Sequence, residues 1–164
     1  MYHIQIYRGG MIQVTKVAYA GTMNTPQDNQ KFIALESVLN NIKEIEIISL
    51  REHVEEIIKH DKDNMYDLIL NMSGNAIDKA DVFVAYCSTT DYSSVAWMAF
   101  LMGYAWSQGV PTIVITEGIP EEELKVNYMI ARVTHAHLHT MDEILNYDWA
   151  NCPQYFSAGR FRLV

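Results

Sequence analysis

Short apolar runs alternate with longer amphipathic stretches from Lys16 to Trp149. Lys16-Val17-Ala18-Tyr19-Ala20-Gly21-Thr22 is a compact apolar run ending at glycine, the pattern of a strand buried on both faces of a parallel sheet. Pro26 and Asp28 then open a helix in which Phe32, Leu35, Val38, Leu39 and Ile42 recur at three- and four-residue spacing. Ile45 to Leu50 predicts a second strand, and Arg51 to His60 and Asp63 to Met72 predict helices, the first heavily charged. Val82 to Cys87 is the clearest buried strand. A polar loop, Ser88 to Tyr92, follows it, and then a long helix from Ser93 to Gln108 that Gly109 stops. Pro111 to Thr116 predicts another strand, Ile130 to Thr140 contains one more, and Met141 to Trp149 forms a terminal helix. Ahead of these, His3 to Tyr7 and Met11 to Val14 flank Arg8-Gly9-Gly10, which reads as a β-hairpin or as an extension before a start at Met11.

Strands alternating with helices imply βαβ units, a parallel sheet and right-handed crossovers. Ligands of such sheets bind beyond the carboxyl ends of the strands. Three loops therefore matter: Gly21 to Gln27, Ser88 to Ser94, and Glu117 to Asn127. In the second, Asp91 precedes Ser93 and Ser94 at a helix start, where free backbone amides suit a phosphate or ribose hydroxyl. Ser93 or Asp91 acting only as a helix cap is the competing reading. Gly21-Thr22 is a second candidate, or merely a tight turn. It carries neither a G-x-G-x-x-G nor a Walker pattern. His135, His137 and His139 alternate, which on a strand puts three imidazoles on one face, with no fourth metal ligand evident. The Ser93–Gln108 helix is apolar all round and so is buried in the domain or in an oligomer interface.

The 164 residues suit one domain, 1–164, with 1–15 as an extra hairpin or extension, and such a chain buries roughly 70% of its unfolded surface. A net charge of −8 argues against a broad nucleic-acid-binding face, though a single nucleotide needs only a few amides. The Glu121-Glu122-Glu123 run reads as a solvated helix start. Two cysteines make no disulfide framework, and Cys87 reads as a small buried hydrophobe. No apolar stretch is long enough to span a membrane, so a cytoplasmic protein is expected.

Several segments together resemble one family. A strand ending in Gly21, Ala80-Asp81-Val82-Phe83-Val84-Ala85, the Asp91 loop, Gly103-Tyr104-Ala105-Trp106-Ser107-Gln108-Gly109 and Asn127-Tyr128-Met129-Ile130 are similar to the nucleoside 2-deoxyribosyltransferases and the related 2′-deoxynucleoside 5′-phosphate N-hydrolases. The resemblance runs from Val17 to Trp149. It implies a flavodoxin-like three-layer α/β sandwich with a five-stranded, mainly parallel sheet, and a homo-oligomer. It also implies cleavage of the bond between a base and a deoxyribose, in which a helix Glu attacks the anomeric carbon while upstream carboxylates handle protons.

The sequence departs from that pattern at the reactive positions. Alignment on Gly103-Tyr104-Ala105 puts Leu101 at the nucleophile, and alignment on the loop Asp and Ala96-Trp97 puts Met98 there. The upstream acid corresponds to Ser73. Three explanations stay open: binding without turnover, chemistry by Asp91 or a neighbour's carboxylate, or a substituted nucleophile. On the catalytic reading Asp91 is the acid/base, Ser93 and Ser94 hold phosphate or sugar, and Gly21 and Thr22 line the base. Asn127 orients the reacting group, and Tyr19 or Tyr92 stacks on the base. No cofactor or metal is expected, and no nucleic-acid polymer or membrane. The tail Gln154 to Val164 covers a neighbour's site or packs on the core.

Overall fold

In a computed structural model the described residues are 14–21, 25–51, 54, 64–87, 92–119, 125–126, 128–152 and 162–163. Five strands, β1 (Thr15–Gly21), β2 (Ile45–Ser49), β3 (Val82–Tyr86), β4 (Thr112–Ile115) and β6 (Ala136–Leu138), form one sheet in the order β2-β1-β3-β4-β6. Every pairing in it is parallel. This is the flavodoxin-like arrangement, with its order reversal between β1 and β3. The expected hairpin before residue 14 lies outside the described residues.

Side chains alternate across the strands and build two cores. On one face Val17, Tyr19, Val84, Ile113 and Ile115 meet α1 (Pro26–Asn40) and Ile144 of a short helix near the chain end. On the other, Ala18, Phe83, Ala85 and Val114 meet α2 (Met65–Asp78), α3 (Tyr92–Ser107) and α4 (Tyr128–Val133). The helix bearing Ile144 is α5 (Met141–Asn146), and a 3₁₀ turn (Trp149–Asn151) follows it. Helices α1 and α5 start at capping boxes, with Thr25 and Thr140 each exchanging hydrogen bonds with the residue three on, Asp28 and Glu143. Thr15 Oγ1 donates to Trp149 O at 2.7 Å and so ties the late turn to the first strand.

Two expectations are corrected, and the strand expected within 130–140 is found there. The α2 helix runs on to Asp78, because Ala76 and Ile77 are buried and Gly74 lies under the ring of Tyr104. The stretch 130–140 holds the end of α4 as well as strand β6. The terminal helix breaks after Asn146. Of 51–60, only Arg51 and Val54 are described, both helical. A separate two-residue parallel pair joins β5 (Lys125–Val126) to β7 (Arg162–Leu163), so the end of the chain pairs with its own backbone just before Asn127.

Candidate functional site

The strand order reverses between β1 and β3, the place beyond whose carboxyl ends open parallel sheets hold their ligands, and Gly21 and Tyr86 are register partners there. Glycine is required there by close approach. A Cβ on Gly21 would collide with the ring of Phe32 and come within 3.1 Å of Tyr86 O. The Phe32 ring lies flat on Tyr19, with centroids 4.5 Å apart and planes within 5°, and tilts towards Tyr86 at 6.3 Å. Tyr19 is fully buried, and its hydroxyl donates to Phe32 O at 3.4 Å. This corrects its assignment as a base-stacking ring, because one face is covered by Phe32 and none of it reaches solvent.

Charged groups gather round Tyr86. Its phenol is pushed up to about 12, first by burial and then by the carboxylates of Glu117 and Asp28 and by Cys87. Asp28 comes from the first turn of α1, and Glu117 follows β4 by two residues. Gly118, at φ 82°, turns the chain just beyond, and a Cβ on it would lie 4.0 Å from Lys31 Nζ. Two carboxylates thus bear on the phenol at the end of β3, and the Lys31 ammonium lies beside the β4 loop at Gly118. Sequence reasoning missed this grouping, although each has a local signal: Asp28 completes the Thr25 capping box, and Glu117 directly follows a buried strand.

Helix α3 begins with Tyr92, Ser93 and Ser94, one loop beyond β3, so their backbone lies on the carboxyl side of the sheet. Asp91, Thr22 and Asn127 lie outside the described residues, as do Glu121, Glu122 and Glu123. Met98 and Leu101 are each 1% exposed, packed in the core with Ala20 and Cys87. Ser73 is buried on α2. Cys87 is free, and burial pushes its thiol up to about 12, so it is an inert small hydrophobe as expected.

Two further polar groups sit near strand ends. The Glu36 carboxylate, buried on α1, accepts from Arg51 Nε and Nη2 at 3.1 and 2.7 Å, both on Oε2. Its Oε1 and the Ser49 hydroxyl have no hydrogen-bond partner among the described residues. On β6 and just after it, His137 Nε2 and His139 Nδ1 lie 2.5 and 3.0 Å from the same Thr116 hydroxyl. His135 Nδ1 instead accepts from Thr112 N at the opposite end of that strand. Hence the three imidazoles do not converge, and no group of three possible metal ligands occurs among the described residues. No helix among them is long and apolar enough to cross a membrane.

No family model and no curated protein sequence matches the chain. Solved structures do. One is a 2-deoxyribosyltransferase from the psychrotolerant bacterium Bacillus psychrosaccharolyticus, a biocatalyst for nucleoside synthesis. It is 19% identical, with a TM-score of 0.69 over 87% of this chain and 99% of that one. Another is a conserved protein from Enterococcus faecalis V583, 15% identical, with a TM-score of 0.57 over 80% of this chain and 95% of that one. The chain has the fold of a 2-deoxyribosyltransferase. That agreement was expected from the glycine-ended strand and from the Ala80–Gly109 segment, here β3, its loop and α3.

Proposed function

We propose that the chain binds a nucleoside or nucleotide at the carboxyl ends of β1, β3 and β4 and cleaves or transfers its N-glycosidic bond. One observation carries the reading: its fold matches that of a deoxyribosyltransferase along nearly the whole of that protein, with the strand order reversing between β1 and β3. The first-turn amides of α3, with Ser93 and Ser94, receive the phosphate or sugar hydroxyls. Asp91 protonates the leaving base, Gly21 and Thr22 flank that base, Tyr92 stacks on it, and Asn127 orients the reacting group. Asp28 and Glu117 supply negative charge to the developing oxocarbenium-like centre. This chemistry moves protons and a glycosyl group, so it needs no cofactor or metal. The reading includes a cytoplasmic setting and self-association, and it excludes nucleic-acid polymers.

A second reading, binding without turnover, is favoured by Met98 and Leu101. These are buried apolar side chains at the two positions where the resemblance sets the nucleophile. Incubation with 2′-deoxynucleosides and their 5′-monophosphates, followed by chromatography for free base, separates the two. The catalytic reading expects base release that Asp91→Asn lowers by about 100-fold. Calorimetric binding of the same compounds without base release leaves only the second reading, and absence of both binding and release overturns the two together.

A further inference from the structure

We propose that Thr116, held between His137 and His139, is a positioning residue that fixes where Glu117 stands at the ligand end of the sheet. The proposal rests on the reading above for what Glu117 does there, and on this chain's own hydrogen bonds for how it is held.

Thr116 directly follows β4 and is 2% exposed. Its backbone is fixed on both sides: its N–H donates to Leu138 O at 3.0 Å, and its carbonyl accepts from Ile119 N at 3.2 Å. The second bond closes a four-residue turn with Glu117 second and Gly118, at φ 82°, third. One residue earlier, Ile115 O accepts from Cys87 N at 2.9 Å, which sets the turn against the end of β3. Register pairs Val114 with His137, so Thr116 and both imidazoles continue the face of Val114, the one that meets α2, α3 and α4. Glu117 comes next and bears on Tyr86, which belongs to the opposite core. The chain is thus gripped on one face of the sheet while the next side chain bears on a phenol of the other.

A hydroxyl has one hydrogen and two lone pairs. With His137 Nε2 at 2.5 Å and His139 Nδ1 at 3.0 Å, Thr116 Oγ1 donates to one ring nitrogen and accepts from the other. One of the two facing nitrogens therefore carries a hydrogen and the other is bare. The rings are tilted by 48° with centroids 5.9 Å apart, so they meet at the hydroxyl and not by stacking. His139 is itself pinned, since its N–H donates at 2.7 Å to Glu143 Oε2, the carboxylate that closes the α5 capping box. Valine would fill the place of Thr116 with no hydrogen bond to satisfy, and apolar side chains in place of the imidazoles would carry no polar desolvation cost. A buried, hydrogen-bonded polar trio instead holds its surroundings in one arrangement, and the residue next to it in the chain is Glu117.

Amide hydrogen exchange and imidazole nitrogen spectra on the full, ligand-free chain test the proposal. In the wild type one facing nitrogen is expected to be protonated and the other bare. Thr116→Val is expected to speed exchange of the Ile119 amide about 10-fold, the effect of losing one ordinary hydrogen bond, and to shift the Glu117 and Gly118 amides. The amide of position 116, bonded to Leu138, is expected to change by less than about threefold. Amides along the groove between α2 and α3, walled by Leu70, Gly74 and Tyr104, are the reference that stays unmoved. Thr116→Ser keeps the hydroxyl and is expected to stay within about twofold of the wild type at Ile119. Unchanged Ile119 exchange in Thr116→Val overturns the proposal. So does faster exchange spread evenly over the sheet, or a Thr116→Ser chain that behaves like Thr116→Val. In the base-release assay Thr116→Val is expected to lower kcat about 10-fold with KM within about threefold, and Thr116→Ser to restore it. A wild type that releases no base overturns the reading above, whereas how Glu117 is held is decided by the exchange result alone.

Discussion

On one face of the sheet, α1 and α5 are held by individually specified contacts. Capping boxes start both helices, Phe32 is clamped between Gly21, Tyr19 and Tyr86, and the Arg51–Glu36 pair ties the chain after β2 to α1. On the other face α3 is held by Met98, Leu101, Met102 and Ala105, apolar side chains that any filler of like volume satisfies, and it leaves three aromatics in solvent. The difference bears on function. The carboxylates near the end of β3, Asp28 and Glu117, come from the first layer and from the β4 loop, whereas the helix where the resemblance sets a reactive Glu carries the buried apolar Met98 and Leu101 at those positions.

Paired substitutions sharpen that contrast. Phe32→Ala removes a ring that three neighbours are shaped around and is expected to cost about 3–5 kcal/mol, whereas the volume-conserving Leu101→Met on the opposite layer costs under about 1.5. Chemical denaturation of the two variants checks the difference, and equal losses would erase the contrast. Arg51→Met comes next. It strands the buried Glu36 carboxylate and is expected to cost about 3 kcal/mol, most of which Glu36→Leu in the same chain restores. Thr140→Ala breaks the α5 capping box for about 1 kcal/mol.

The pattern of apolar residues made the sheet legible, since β1, β2, β3, β4 and the long helix all lie within a residue or so of where periodicity puts them. It failed where tertiary contacts overrule local signals. The helix expected to end at Met72 continues to Asp78, where Gly74 admits Tyr104, whose hydroxyl donates to Asp78 at 3.0 Å. Glu36 belongs to the buried stripe of α1 because Arg51 neutralises it from fifteen residues away, which no helical period reveals. The candidate site was legible as loops and not as partners. Gly21 was found as a turn, while its collision with Phe32 depends on a helix packing back. Tyr19 was found as an aromatic near a strand end, while the side of the sheet it faces follows from register.

The smallest effect at ordinary pH lies in the buried acids of β3 and its end. Cys87 and Tyr86, ordinarily at 9.0 and 10.0, are both pushed up to about 12, chiefly by burial. Both are held neutral in the folded chain, so their contribution is complete below pH 9 and is lost as the pH rises from 9 towards 12. Melting temperatures measured across that window are expected to fall, and Cys87→Ala is expected to flatten part of the decline.

The most direct test of nucleotide binding at the strand ends is an amide chemical-shift titration with a 2′-deoxynucleoside 5′-monophosphate. The predicted result is a saturable set of shifts at Gly21, Tyr86, Cys87, Glu117 and the first turn of α3, with α2 and the far end of α3 unmoved. Shifts confined to the groove between α2 and α3, or none at millimolar ligand, would contradict it.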